Sequence, residues 1–367
     1  GSGEGSQAMT LDAGLAAVVA LAATTVLTPL FMRVALRLRV IDAPGGRKIH
    51  ALPTPLLGGA AITIGISSGV AVFAVTSGSL SQDVAWVAVG IVLAAGLGLI
   101  DDLRPLSALP KFTGQATIAL LVVRLADLTI IHLPNPAGAD IAISGAAGTT
   151  LAVIWIVAIM NAFNMVDGLD GLAAGVGAVS GGAITALALW AQAPIAIALG
   201  TTVTGSLIAF LRWNYHPARV FMGDLGSMAI GFALATAGLG LAQGPAPISL
   251  VTVVLLLGLP VLDLCVSVTR RIIAGRNPLK ADRDHLHHIL MDRGVGQSRT
   301  VLDLYLLATA MAGLGFLVGR FGEYPVFGAV RAGAFFLIPA GVVIVLGARQ
   351  RQIRLAAVPD ISPRKAA

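Results

Sequence analysis

Long apolar runs recur along the chain with short polar breaks between them, and strict alternation of apolar and polar positions is absent. A membrane-crossing helix needs about 20 largely apolar residues. Eleven windows meet that length: about 11–32, 56–76, 84–100, 113–131, 149–165, 172–190, 194–211, 225–243, 248–268, 301–319 and 327–347. Polar residues crowd the end of the fifth, and the sixth and seventh are separated only by a short stretch around Pro194. Backbone groups in lipid must be satisfied within the segment, so runs of this length predict helices. The missing alternation disfavours an outer-membrane barrel. The predicted class is therefore all-α, a polytopic integral membrane protein of about eleven spans.

Charge placement sets the expected orientation. With the N-terminus outside and the C-terminus cytoplasmic, 21 of the 24 Lys and Arg fall on inward connections, Arg124, Arg320 and Arg331 being the exceptions. That segregation follows the positive-inside rule. His132 is the one histidine of six placed outside. The outward segment 132–148 has a Pro/Gly opening and some alternation that suits a small hairpin, and 269–300 is the longest inward loop. Residues 1–8, GSGEGSQA, read as a cloning scar ahead of Met9, which leaves 9–367 as a single membrane domain.

Composition narrows the class further. The chain is 56% apolar and only 11% charged, with a mean hydropathy of +0.89. That excludes a disordered chain, a nucleic-acid-binding module and an ordinary soluble enzyme, whose charged fraction is about 25%. The net charge of +6 belongs to the loops and does not imply a nucleic-acid partner. The 44 glycines suit close helix packing in lipid. The lone Cys265 allows neither an intrachain disulfide nor a cysteine metal site.

Acidic and amide residues gather where the expected spans reach one membrane face. Asp101 and Asp102 close the third window, Asn161, Asn164, Asp167 and Asp170 close the fifth, Asp224 opens the eighth, and Asp263 lies near the inner end of the ninth. A solitary acid would read as a solvated helix end; several at one face, beside glycines, read as a site. Adjacent helical residues point about 100° apart, so Asp101 and Asp102 cannot share a face, and Pro105 predicts a loop or frayed end there. In NAFNMVDGLD the polar positions recur every third residue, and a break at Gly168 and Gly171 would let all four converge. These are oxygen donors, which suit a hard cation: Mg²⁺, with Mn²⁺ as the alternative. His285, His287 and His288 in the basic segment holding Arg283 leave three readings open: a zinc site, a solvated loop or phosphate handling. Asp42, Arg47, Lys48 and His50 form either a positive-inside anchor or an anion-binding loop. No P-loop or dinucleotide fingerprint is present. Phosphoryl transfer at a membrane surface suits this assembly.

The ordered series RKIH, GLIDD, KFTGQ, NAFNMVDGLDGL, NYHPARVFMGDLGS and ADRDHLHH, from 47 to about 294, resembles the bacterial polyprenyl-phosphate N-acetylhexosamine-1-phosphate transferase family, in its WecA/TagO-like branch. The resemblance implies Mg²⁺-dependent transfer of a sugar-1-phosphate from a UDP-sugar, GlcNAc foremost, to undecaprenyl phosphate or a similar lipid, releasing UMP. It implies a catalytic domain with cytoplasmic loops forming the active site, in a bacterial cytoplasmic membrane. It puts Asp101, Asp102 and Asp167 in catalysis, Asp101 foremost for the proton of the lipid phosphate. Asp224 and Asn164 become metal ligands. Gly168, Leu169, Asp170, Asn214 and Phe221 become nucleotide-binding, and Lys48, Lys111, Arg283, His285, His287 and His288 phosphate-binding. The alternative within the family is the phosphotransferase that uses UDP-MurNAc-pentapeptide, which carries three consecutive histidines where this chain has HLHH. An ion-coupled transporter is the rival from another class. The Gly171–Gly175 spacing suits internal packing or a homodimer face.

Overall fold

The computed structural model describes residues 2–42, 53–78, 81–133, 140–275 and 285–322, with 324, 326, 330 and 333. Its helices in chain order are α1 (Ser2–Leu38), α2 (Gly58–Thr76), α3 (Gln82–Leu103), α4 (Ala108–Leu125), α5 (Gly145–Val166), α6 (Leu172–Ala191), α7 (Pro194–Asn214), α8 (Gly223–Ala242), α9 (Leu250–Leu256), α10 (Gly258–Ile273), α11 (Leu286–Met291) and α12 (Gln297–Phe321). Two short antiparallel pairs join them: β1 (Ile41–Asp42) with β2 (Thr54–Pro55), and β3 (Ile131–Leu133) with β4 (Ile141–Ile143). The second pair forms the hairpin expected between 132 and 148.

Among the described residues, eight helices are long and apolar enough to cross a membrane, and a ninth span results if α9 and α10 count as one. The protein is a helical polytopic membrane protein. The fourth window falls on α4, which carries Lys111 and Arg124 and is not among the eight. The window 327–347 lies almost wholly outside the described residues. The ninth window is not one straight span: α9 and α10 meet at a bend of 96° around Leu257. Gly258 begins the new segment, and Pro260 has no N–H to continue the preceding ladder. The segment 2–8 read as a cloning scar continues helix α1.

Helix α8 is the axis of the bundle. It packs against α2, α3, α5, α6 and α7, and every residue from Leu225 to Ala242 is buried. Its sequence, GDLGSMAIGFALATAGLGLA, is apolar on all sides and rich in Gly and Ala, which suits a helix surrounded by others. Trp155 of α5 donates its indole N–H to Ala235 O at 3.1 Å and ties the two helices. Gly98 brings α3 against the start of α8, where a Cβ would collide with the Asp224 carbonyl. The approach to α8 is also anchored: Gly58 and Gly59 donate their amides to Phe221 O and Met222 O, and Phe221 N–H bonds Pro55 O.

Gly98 and Gly96 offer a matched test, because a Cβ at Gly96 would meet nothing within 4 Å. Gly98→Ala is expected to destabilise the protein by about 1–3 kcal/mol through overpacking, and Gly96→Ala to leave it unchanged. Thermal unfolding in detergent checks the pair; equal midpoints would contradict the close approach.

Candidate active site

Polar side chains from four helix ends meet at one end of the bundle. Asp101 and Asp102 lie in the last turn of α3, within the helix and not in a loop; the helix stops at Arg104, whose backbone is extended ahead of Pro105. The break comes where the residue before a proline is forced out of helical geometry, later than expected. The two carboxylates face different partners. Asp101 Oδ2 lies 2.6 Å from Lys111 Nζ, and its Oδ1 accepts the Leu106 amide at 2.6 Å. Asp102 accepts the backbone amides of Asp224 at 2.9 Å and Leu225 at 3.0 Å. It therefore caps the first turn of α8 from a neighbouring helix, satisfying amides that have no intrahelical acceptor. Gly223 has φ +67°, and a Cβ there would fall 2.5 Å from Asp102 Oδ2, so both its conformation and its lack of a side chain serve this contact.

Lys111, in the first turn of α4, bridges Asp101 and Asp224 at 2.6 Å each. Asn164 donates to Asp224 Oδ1 at 2.6 Å and to Ser227 Oγ at 3.2 Å. One turn earlier, Asn161 donates to Gln115 Oε1 at 2.7 Å. Asp167 follows the last helical residue of α5 and is partly open to the cavity. Burial, with repulsion from Asp224, Asp102 and Asp170, pushes its carboxyl up to about 8.

Three of the four polar positions in NAFNMVDGLD thus converge. Asp170 turns away, to His216 Nδ1 at 2.8 Å and the Ala218 amide at 3.1 Å. Of the residues expected at the nucleotide, Gly168 lines the cavity; Leu169 is buried. Asn214 spends its amide on backbone, accepting from Gly171 N at 3.1 Å and donating to Val220 O at 2.9 Å. Phe221 lies outside the cavity lining, in the strand-like approach to α8. Asn214 and Tyr305, whose hydroxyl bonds Gly171 O at 2.6 Å, hold the turn that carries Gly168. Lys48 and Arg283 lie outside the described residues.

The site opens into a cavity of about 1180 Å³. Its polar end holds Asp101, Lys111, Asn164 and Asp167; Arg271 and His285, His287 and His288 form another wall; Phe112, Val153, Ile154, Leu264 and Val268 make the rest apolar. A smaller groove of about 500 Å³ shares Phe112, Ala116, Val153 and Ile154 and continues between α4 and α5 to Leu120 and Thr149. His287 is 3% exposed, and burial with repulsion from His288 brings it down to about 4, so it is neutral at pH 7. Its Nε2 has no hydrogen-bond partner among the described residues, and a Cβ at Gly168 would lie 2.5 Å from that atom. The polar residues Asp263, Ser267 and Arg271 of α10 underlie this wall; the sequence places Asp263 among the acids of this face and leaves Ser267 and Arg271 apart from it. Their spacing of four was the available signal.

The donor set bears on the metal. Among the described residues no three His, Cys, Asp or Glu side chains are arranged to hold an ion, so the histidines form no zinc site there. Mg²⁺ asks less of a protein: one or two carboxylates, with substrate phosphates and water supplying the remainder. Asp224 and Asp101 supply two carboxylates for that requirement, and the Asn164 side-chain oxygen, 3.4 Å from Lys111 Nζ, lies beside them.

Residues 84–242, which contain Asp101, Asp102, Lys111, Asn164, Asp167 and Asp224, match glycosyl transferase family 4. The chain is 34% identical to a Bacillus subtilis protein named probable undecaprenyl-phosphate N-acetylglucosaminyl 1-phosphate transferase, over 80% of this chain and 81% of the relative. It is 34% identical to the decaprenyl-phosphate N-acetylglucosaminephosphotransferase of Mycolicibacterium smegmatis, over 85% and 80%. The undecaprenyl-phosphate alpha-N-acetylglucosaminyl 1-phosphate transferase of Escherichia coli K12 is 32% identical over 78% of each chain.

The raised Asp167 gives a pH signature. Because its folded value of about 8 exceeds the ordinary 3.8, the stability it contributes is complete below pH 4 and is lost as pH rises through 8. In metal-free buffer, Asp167→Asn should unfold at the same temperature as the parent at pH 4. It should gain with each pH unit, to at least about 3 °C at pH 8. A difference independent of pH would contradict the assignment.

Proposed function

The chain belongs to glycosyl transferase family 4, among the polyprenyl-phosphate N-acetylglucosamine-1-phosphate transferases, and on that premise we propose that it transfers GlcNAc-1-phosphate from UDP-GlcNAc to a polyprenyl phosphate. The products are polyprenyl-diphosphate-GlcNAc and UMP. The observation that carries the reading is the cavity itself: one polar end lined by Asp101 and Lys111, whose ammonium also bonds Asp224 outside the lining, and an apolar remainder continuing into the groove between α4 and α5. That shape suits a phosphate headgroup with a hydrocarbon tail.

In the proposed reaction an oxygen of the lipid phosphate attacks the β-phosphorus of the sugar nucleotide. A new P–O bond forms, the bond from that phosphorus to the α–β bridging oxygen breaks, and UMP leaves with the bridging oxygen. Two anions must meet, so charge neutralisation carries most of the rate effect. Lys111 places a cation beside the reacting phosphates, and Arg271 supplies a second at the cavity wall. Asp101 is the carboxylate that can accept a proton from the acceptor phosphate. Asp102 acts at one remove, holding the backbone of Asp224. Asp224 and Asn164 would hold Mg²⁺, which when bound supplies Lewis-acid neutralisation of phosphate charge. The eleven-span topology, with the N-terminus outside and this site facing the cytoplasm of a bacterial inner membrane, completes the reading, since the sugar nucleotide is a cytosolic reactant.

Purified protein in detergent, given UDP-GlcNAc, a short-chain polyprenyl phosphate and Mg²⁺, is expected to release UMP, and EDTA to stop it. Asp224→Asn and Lys111→Met should each lower turnover by about 100-fold or more while folding persists. No UMP from UDP-GlcNAc, or wild-type turnover in Asp224→Asn, would overturn the reading.

A further inference from the structure

Helix α10 carries Asp263, Ser267 and Arg271 at 2%, 0% and 3% exposure. Residues four apart on a helix form one stripe, and this stripe faces the residue that caps α11. Asp263 Oδ2 lies 2.9 Å from His285 Nδ1, and Ser267 Oγ lies 3.2 Å from the same nitrogen. The other carboxylate oxygen accepts the Leu286 amide at 2.8 Å. Both oxygens of Asp263 are therefore committed to residues 285–286, and the carboxylate has no freedom to swing. The tautomer that carries its proton on Nδ1 can donate it to this carboxylate oxygen. The ring stacks on His287, with centroids 5.8 Å apart and planes 8° from parallel, and it lines the cavity shared with Asp101, Lys111 and Asn164.

A buried acid inside a membrane bundle is costly and calls for a partner and a use. Capping α11 alone would use one oxygen. The second oxygen is spent on the imidazole, in the arrangement by which a carboxylate fixes the tautomer and direction of a working histidine. We propose that Asp263 is a positioning residue for the transfer reaction: it fixes His285 with Nδ1 protonated and turns Nε2 toward the diphosphate of the nucleoside-diphosphate sugar. The proposal rests on the transfer reading above.

The test starts from the wild-type protein in the UMP-release assay; absence of release there would sink the transfer reading, not this one. Asp263→Asn keeps an acceptor for the Leu286 amide but not the charge or the obligatory acceptor for Nδ1. It is expected to lower kcat at least about tenfold, with the unfolding midpoint and KM for UDP-GlcNAc close to wild type. In a His285→Gln background, where no imidazole remains to position, the same substitution should lower kcat no further. Wild-type kcat in Asp263→Asn, or an equal additional fall in the His285→Gln background, overturns the proposal. Nitrogen NMR of histidine-labelled wild-type protein gives an answer even where Asp263→Asn does not fold. The His285 signal, assigned by its loss in His285→Gln, should report a protonated Nδ1, and a bare Nδ1 overturns the assignment.

Discussion

Four carboxylates, those of Asp101, Asp102, Asp167 and Asp224, are held close together at one end of an apolar bundle, and their repulsion must be offset for the bundle to close. Two positive features do this. The Lys111 ammonium lies between Asp101 and Asp224. The amides at the start of α8 face Asp102, where the helix dipole also favours a negative charge. Asp167 has neither, and its carboxyl is pushed toward the neutral form. A surplus of negative charge of this kind is the setting in which the proposed divalent cation and its phosphates would be held.

The architecture follows from holding that cluster in place. Helix α8 can sit at the centre because Gly and Ala let its neighbours approach on every side. Gly98 and Gly223 both lie on the contact that joins the end of α3 to the start of α8, where a side chain would collide with Asp224 or Asp102. Beyond the break from α9, α10 packs against α5 and α12, and its Asp263 reaches the Leu286 amide at the start of α11. A cavity with a polar end and a long apolar wall results, which is the shape a lipid phosphate and a sugar nucleotide would share.

Much of the site could be read from residue order. Asp101, Lys111, Asn164, Asp167, Gly168 and the three histidines of HLHH all line one cavity. Others in the same motifs work differently. Asn214 and Asp170 brace backbone turns, and Asp102 caps a helix. A motif records that a residue matters without recording whether it touches a ligand or holds one that does. The pairing of Asp263 with His285 spans 22 residues, from the middle of α10 to the residue that caps α11, and no local spacing announces it.

Hydrophobic run length was sufficient to establish a helical polytopic membrane protein, because lipid forbids unsatisfied backbone whatever the fold. The polar residue types alone pointed to phosphates and a hard cation. Which carboxylate meets which partner was decided only by tertiary structure. Helix α3 runs on through Asp102, α8 begins against it, and α10 leaves α9 at 96°. Such contacts depend on how whole helices pack, and helix packing is set by the shapes of many small side chains acting together.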